Sequence, residues 1–133
     1  MTLHVHTARI SSRDPDRLDV TRLSGKEGVF LAPSWAILRP AIAARREAQA
    51  WVKAGNEGVG VSIECAAWDL YEPAYLAEMR ASYVRHRARW DALLQRERVV
   101  LMCFCPMRLH CHRGVLAERI LPSLGAIDCG EIA

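Results

Sequence analysis

The chain has 133 residues, of which 51% are hydrophobic and 25% charged, a composition typical of a soluble globular protein that can bury one core. Its net charge of +3 is too small to indicate nucleic-acid binding by itself, and no apolar run approaches the roughly 18–20 residues that span a bilayer. The N-terminal residues lack a basic stretch followed by an apolar one, which argues against a secretory signal. We therefore expect a cytoplasmic protein without a membrane partner, folded as one domain over residues 1–133.

The N-terminal part of the sequence predicts two short strands separated by a turn. Apolar and polar side chains alternate weakly from Leu3 to Ile10, and a second extended piece covers Leu18 to Thr21. The turn is indicated by Asp14-Pro15-Asp16. The glycine-containing segment after the second strand must be a loop. A solvated loop is the commoner explanation of such a segment, but three of its side chains could bind an anion: Arg22, Ser24 and Lys26.

The first predicted helix follows Ser34, which suits the N-cap position. The helix should run to about Lys53, with Pro40 marking a kink or a fresh start. After it, residues 56–60 read as a glycine-rich connector. Residues 59–65 read as a short strand.

A longer helix is predicted from Pro73 to Arg96, where apolar side chains recur at three- and four-residue spacing. Pro73 suits its first turn. The opposite face is rich in arginine between Arg80 and Arg96. Such a face is usually solvated, and a nucleic-acid surface is the less common interpretation.

The densest reactive chemistry lies between Val99 and Leu121. The apolar run from Val99 to Met102 predicts a buried strand, and Gly114 to Leu121 predicts a helix. The connection between them carries most of the candidate site residues: Cys103, Cys105, His110, Cys111, His112 and Arg113. In a reducing compartment the five cysteines of the chain should be thiols, ligands or catalytic groups and not a disulfide framework. Open α/β sheets place their ligand sites where a strand runs into a helix.

A glycine stop at Gly125 and a final edge strand over residues 126–132 complete the chain. Strands that alternate with helices predict an α/β domain with three layers around a mostly parallel sheet of four or five strands.

Two known kinds of cysteine site share features with the cysteine-rich connection. Cys103 and Cys105 form C-x-C, which differs from the C-x₂₋₄-C of a zinc knuckle, but a zinc site formed by Cys105, Cys111 and His112 stays open. A tyrosine-phosphatase loop, H-C-x₅-R, is excluded because the position of its arginine is occupied by Ala117.

The leading hypothesis is an enzyme or binder of a small anionic ligand, derived from a nucleotide or nucleic acid. Cys111 would be the nucleophile or a thiol contact, with Cys103 nearby at the strand end. His112 would move a proton, and Arg113 would clamp the anion. Asp19 would orient Arg113 or His112.

Three alternatives remain. The first is a non-enzymatic zinc module, and the second is a nucleic-acid-associated phage accessory protein that binds through the basic Arg80–Arg96 helix. The third is that the buried cysteines are purely structural, with Arg113 tied to a carboxylate such as Asp19.

A resemblance accompanies these residues. An apolar strand that ends at Cys103, followed by the tripeptide Cys111-His112-Arg113 at the start of a helix, resembles the C-H-R signature of DUF488, a family of domains of unknown function. The closest likeness is to a small phage and bacterial branch with C-x-C before C-H-R. The resemblance extends to Leu18–Arg22, to Ala32–Trp35 and to the helix that contains Tyr83. It implies a Rossmann-like α/β domain and no established activity.

Overall fold

The computed structural model describes residues 2–132, which form two compact units. One unit consists of the chain up to Ala32 together with the chain from Met79 onward, and the other is Pro33–Glu78. The first unit contains the sheet and every candidate site residue, whereas the second is helical. The expectation of one domain over residues 1–133 stays a prediction.

The sheet of the first unit has four parallel strands in the order β2-β3-β1-β4. Their bounds are His4–Arg9 for β1, Arg17–Asp19 for β2, Arg98–Cys103 for β3 and Ile127–Glu131 for β4. All strand pairs are parallel, and in the central pair Arg9 of β1 lies beside Cys103 of β3. The predicted α/β class and the parallel sheet of four or five strands are therefore confirmed. The arrangement in three Rossmann-like layers stays a prediction.

The central strand β3 forms the core of the sheet. Five consecutive residues from Val99 to Cys103 are buried, because β3 is paired on both sides and covered on both faces. A central strand of a parallel sheet characteristically reads as such a continuous apolar run. The last residue of this run, Cys103, is consequently buried at the carboxyl edge of the sheet, where ligand sites of parallel sheets lie.

Three longer helices separate β2 from β3: α1 (Trp35–Lys53), α2 (Glu57–Arg85) and α3 (Arg87–Leu94). Ser34 is the N-cap of α1, as predicted, but its side chain bonds to the carboxylate of Glu78. The same carboxylate accepts a 2.8 Å hydrogen bond from the backbone N–H of Ser34. α1 continues through Pro40 without a fresh start. Among the described residues, no helix combines the length and the apolar character needed to cross a bilayer.

The short strand predicted over residues 59–65 is wrong, since these residues lie inside α2. Short apolar runs do not distinguish a strand from a helix by periodicity, and the glycines beside this run suggested a connector. In the structure, Gly60 lies inside α2 and not in a connector. A Cβ atom there would lie 2.8 Å from the carbonyl oxygen of Ala48, so glycine allows α1 and α2 to approach closely.

The predicted helix from Pro73 to Arg96 also differs from the structure. Pro73 lies within α2 and not in a first turn, and the helical stretch is interrupted at His86. Trp90 of α3 is fully buried, and its indole N–H donates to the hydroxyl of Ser82 across this interruption. A buried polar side chain therefore fixes the packing of α3 against the end of α2.

Between β3 and β4 the chain forms α4 (His112–Val115), a π-helical turn (Leu116–Ile120) and α5 (Leu121–Ser123) in direct succession. The helix predicted from Gly114 thus begins two residues earlier. Gly125 follows with a φ of +98°, a conformation that suits glycine, and the chain enters β4 at the sheet edge. The glycine stop and the final edge strand are confirmed.

Two glycines of α2 provide a matched test of the helical packing. We expect Gly60→Ala to lower the free energy of unfolding by about 1–2 kcal/mol, because its Cβ would also lie 2.8 Å from Cγ2 of Val52. Gly58→Ala should instead be neutral or raise it by about 0.5 kcal/mol, since nothing lies within 4 Å of its Cβ and alanine favours a helix. Urea unfolding of both variants gives the comparison, and equal effects would contradict the close approach.

Candidate functional site

The candidate site lies where β3 ends and α4 begins. Cys103 is the last residue of β3, Cys111 is the N-cap of α4, and His112 is the first residue of that helix. The loop between them brings the chain back on itself, so residues at its two ends become neighbours. Both thiols and the imidazole are buried, with exposed fractions of 5% for Cys103, 2% for Cys111 and 5% for His112.

The ligand atoms of these three side chains lie within 4.8 Å of one another. Nδ1 of His112 is 3.8 Å from Sγ of Cys103 and 4.0 Å from Sγ of Cys111. In tetrahedral zinc sites, with bonds of about 2.3 Å to sulfur and about 2.1 Å to nitrogen, neighbouring ligand atoms are roughly 3.6–3.8 Å apart. The cluster therefore has donor types and dimensions that are compatible with three ligands of a zinc site.

His112 has the tautomer that a ligand at Nδ1 requires. Its Nε2 lies 2.8 Å from the carbonyl oxygen of Val20, which can only accept a hydrogen bond, so Nε2 carries the proton. Nδ1 then presents its lone pair to the two sulfurs. Burial lowers the pKa of His112, which keeps the imidazole neutral. A carbonyl that orients a histidine through its other nitrogen is the common arrangement around protein-bound metals.

The two buried thiols of the cluster differ in their tendency to ionise. Hydrogen bonds from the thiols of Cys105 and Cys111 lower the pKa of Cys103, whereas the hydrogen bond to Cys103 raises the pKa of Cys111. Closely spaced thiols cannot all ionise without a cation, so in the absence of one a single thiolate is stabilised by its neighbours. Cys105 is half-buried, with its Sγ 3.8 Å from Sγ of Cys103.

Arg113 is fully buried beside the cluster and contacts protein atoms through each of its three nitrogens. Nε and Nη2 donate to the carboxylate of Glu131 at 3.1 and 2.7 Å. Nη1 donates to the carbonyl oxygen of Cys105 at 2.7 Å and lies 3.8 Å from Sγ of Cys111. The carboxylate paired with Arg113 is therefore Glu131 and not Asp19, the partner suggested by the sequence.

A second arginine anchors the loop through ion pairs that sequence reasoning missed. Arg108 binds the carboxylates of Glu118 and Asp128, with Nη2–oxygen distances of 3.0 and 2.5 Å, and Nη1 is 3.3 Å from the hydroxyl of Thr7. Asp128 and Glu131 both belong to β4. Acidic residues in an edge strand that follows an arginine-containing loop are the signal from which these pairs could have been predicted.

The site residues predicted in the loop after β2 form hydrogen bonds within that part of the chain. The carboxylate of Asp19 accepts hydrogen bonds from the backbone N–H of Thr21 at 2.9 Å and from the hydroxyls of Thr21 and Ser24. Arg22 donates through Nη2 to the carbonyl oxygen of Ala32 at 3.1 Å. This loop reaches the cluster through the carbonyl of Val20, and the negative charge of Asp19 favours the protonated form of His112, a small effect beside the burial that lowers its pKa. The anion-binding roles of Arg22, Ser24 and Arg113 stay predictions.

The fold and the site together define an α/β protein with a buried cysteine–histidine cluster at the carboxyl edge of a parallel sheet. A family model described as the active DUF488-N3 subclade matches residues 29–123, which cover most of the chain and include the whole cluster. The chain therefore belongs to the DUF488 family, and the resemblance carried by its C-H-R tripeptide is confirmed. Searches of curated proteins and of solved structures found no match.

The pair between Arg113 and Glu131 should make stability depend on pH. At neutral pH we expect Glu131→Gln to lower the free energy of unfolding by roughly 3 kcal/mol, because it leaves a buried guanidinium without its carboxylate. Burial raises the pKa of Glu131, but hydrogen bonding to Arg113 outweighs it and holds the pKa below the ordinary value of 4.5. The carboxylate thus stabilises the fold above pH 4.5, and the difference between the two proteins should vanish as the pH falls through the folded-state pKa.

Glu118→Gln is the matched control for this experiment. The Glu118 side chain is 58% exposed and shares Arg108 with Asp128, so the change should cost less than about 0.5 kcal/mol. Urea unfolding of the three proteins between pH 3 and 7 measures both effects. A similar loss in the two variants, or a loss at Glu131 that does not depend on pH, would contradict the assigned pair.

Proposed function

We propose that this DUF488 domain is a zinc-binding protein in which Cys103, Cys111 and His112 bind Zn²⁺. The observation that carries the proposal is the mutual approach of these three ligand atoms, with Nδ1 of His112 turned to the sulfurs by its Nε2 hydrogen bond. The sequence suggested zinc bound by Cys105, Cys111 and His112. The proposal keeps the ion but replaces Cys105 by Cys103, because Cys103 is the thiol that lies close to both other ligands. Zinc prefers sulfur and imidazole ligands of this kind.

The charges around the cluster support a cation at this position. Without a cation, ionisation of Cys103 raises the pKa of Cys111, so only one of the two is a thiolate. Bound zinc would neutralise this charge and allow both cysteines to ionise. Arg113 would remain a supporting residue, with an N–H of Nη1 directed at Sγ of Cys111. Groups that donate to a ligand sulfur orient it and tune its affinity for the metal.

The ion would also join two structural elements. Cys103 ends the central strand, whereas Cys111 and His112 begin the helical segment, so one zinc ion would close the intervening loop at both ends. Because the ligands meet only in the folded chain, the binding energy of the metal would add to the stability of the fold.

The hypothesis of an enzyme acting on a small anionic ligand, with Cys111, His112, Arg113, Cys103 and Asp19 as its catalytic set, stays a prediction, as does a nucleic-acid partner. We favour zinc because the guanidinium of Arg113 contacts Glu131 and the Cys105 carbonyl through its nitrogens, and these contacts compete with a clamp on an outside anion. The two hypotheses differ in thiol reactivity. A catalytic Cys111 should alkylate rapidly in the purified protein, whereas a zinc ligand should be protected until the metal is removed.

Metal analysis tests the proposal directly. Protein produced with zinc and purified without chelator should contain about one zinc ion per chain, the stoichiometry of a single tetrahedral site. Cys111→Ser and His112→Ala should each lower the affinity for zinc by at least about tenfold, since each removes a ligand. Competition with a chromogenic chelator measures the affinity.

Cys129→Ser is the control, because Cys129 is an exposed thiol of β4 outside the cluster. It should retain zinc like the unaltered protein. Removal of zinc by chelator should lower the midpoint of thermal unfolding in the control and make Cys111 accessible to alkylation. Protein that contains no zinc when purified without chelator, and whose Cys111 alkylates rapidly, would refute the metal site and favour the enzyme hypothesis.

A further inference from the structure

Cys105 differs from the three clustered ligands in its surroundings. It is half-buried, whereas Cys103, Cys111 and His112 are almost completely buried. It also lies in the loop and not in a strand or a helix. The neighbouring loop side chains Phe104, Met107 and Leu109 are 52%, 60% and 66% exposed, so this part of the loop has few buried apolar contacts to hold it.

The position of Cys105 suits the fourth corner of a tetrahedral site. Three ligands leave one coordination position, and Sγ of Cys105 is 3.8 Å from Sγ of Cys103, the separation of adjacent thiolates on zinc. Cys105 lies outside the group of ligand atoms that are all within 4.8 Å of one another. A fourth ligand that is near the site and partly exposed is the one that an oxidant in solution can reach.

We infer that Cys105 closes the proposed zinc site as its fourth ligand and is the thiolate through which a peroxide opens it, by forming a disulfide with Cys103. The inference rests on the proposed zinc function and adds a regulation of the same site. It assigns different roles to the two thiols of the C-x-C motif: Cys103 is a buried ligand, and Cys105 is the exchangeable one.

The chemistry balances with hydrogen peroxide as the oxidant. The Cys105 sulfur attacks one peroxide oxygen, so an S–O bond forms, the O–O bond breaks, and hydroxide leaves and is protonated to water. The Cys103 sulfur then attacks the sulfur of this sulfenic acid, an S–S bond forms, and the S–O bond breaks with loss of a second water. The two thiolates lose two electrons in total, and one peroxide takes these electrons and two protons from solvent to give two waters. Zinc loses two thiolate ligands and is released.

The structure favours Cys105 over the other thiols as the point of attack. Cys111 is 2% exposed and is covered by the guanidinium of Arg113, so peroxide reaches it poorly. Cys65 and Cys129 are exposed but do not belong to the cluster, and their oxidation would not remove a ligand. Cys103 is buried as well, but its sulfur is already adjacent to that of Cys105 and can resolve the sulfenic acid.

The test uses zinc-loaded protein in which Cys65 and Cys129 are both replaced by serine. Hydrogen peroxide is added, zinc release is followed with a chromogenic chelator, and the disulfide is located by mass spectrometry of peptides. We expect release of one zinc ion for each Cys103–Cys105 disulfide formed, and recovery of zinc binding after reduction by dithiothreitol in the presence of zinc. Release without this disulfide, or a disulfide between Cys103 and Cys111, would overturn the inference.

Two variants keep the test decisive. Cys105→Ser should still bind zinc through three ligands, more weakly, and should release it to peroxide at least about tenfold more slowly. Cys105→Asp offers an oxygen ligand that peroxide does not oxidise, so it should hold zinc and resist release. If both variants released zinc at the same rate as their parent, the role of Cys105 would be refuted, but the proposed zinc site would stand. A parent protein that binds no zinc would instead refute the proposed function, and with it this inference.

Discussion

The buried guanidinium of Arg113 is the constraint on which the site depends. A full positive charge without solvent exposure is tolerated only when each donor finds a partner. Glu131 supplies a carboxylate from β4, the carbonyl of Cys105 supplies a second acceptor from the loop, and Sγ of Cys111 lies within 3.8 Å. One side chain thus joins the edge strand, the loop and the thiol cluster. The loop is therefore held at the backbone of Cys105 by the same guanidinium that contacts Cys111.

The cluster places two ionisable thiols and one imidazole lone pair close together in a buried site. Cys103 and Cys111 compete for ionisation, while the carbonyl of Val20 holds the proton of His112 on the side away from the sulfurs. This arrangement concentrates negative charge and lone pairs at one point, which is the environment that a soft, divalent cation prefers. An anion clamp would require a free cationic group, whereas Arg113 is engaged within the protein. The contacts of the residues that suggested anion chemistry in the sequence are the reason for proposing a metal site instead.

Prediction from the sequence succeeded where the signal was local. The β-branched run at Val99 predicted the central strand, Ser34 and Gly125 marked a helix start and a helix stop, and the C-H-R tripeptide indicated the family. Prediction failed where packing overrode a local signal. Gly60 suggested a connector because glycine disfavours helices, but it lies within α2 at a close approach to α1. Pro73 suggested a helix start, yet α2 continues through it.

The sequence by itself determined that a cluster of reactive side chain types follows a buried strand, because hydrophobic periodicity and the adjacency of Cys111, His112 and Arg113 are properties of neighbouring residues. Only the tertiary structure decided that Cys103 joins Cys111 and His112, and that Glu131 pairs with Arg113. These contacts connect the end of β3, the start of α4 and the edge strand β4. They depend on the order and register of parallel strands, which long-range packing establishes and no local pattern encodes.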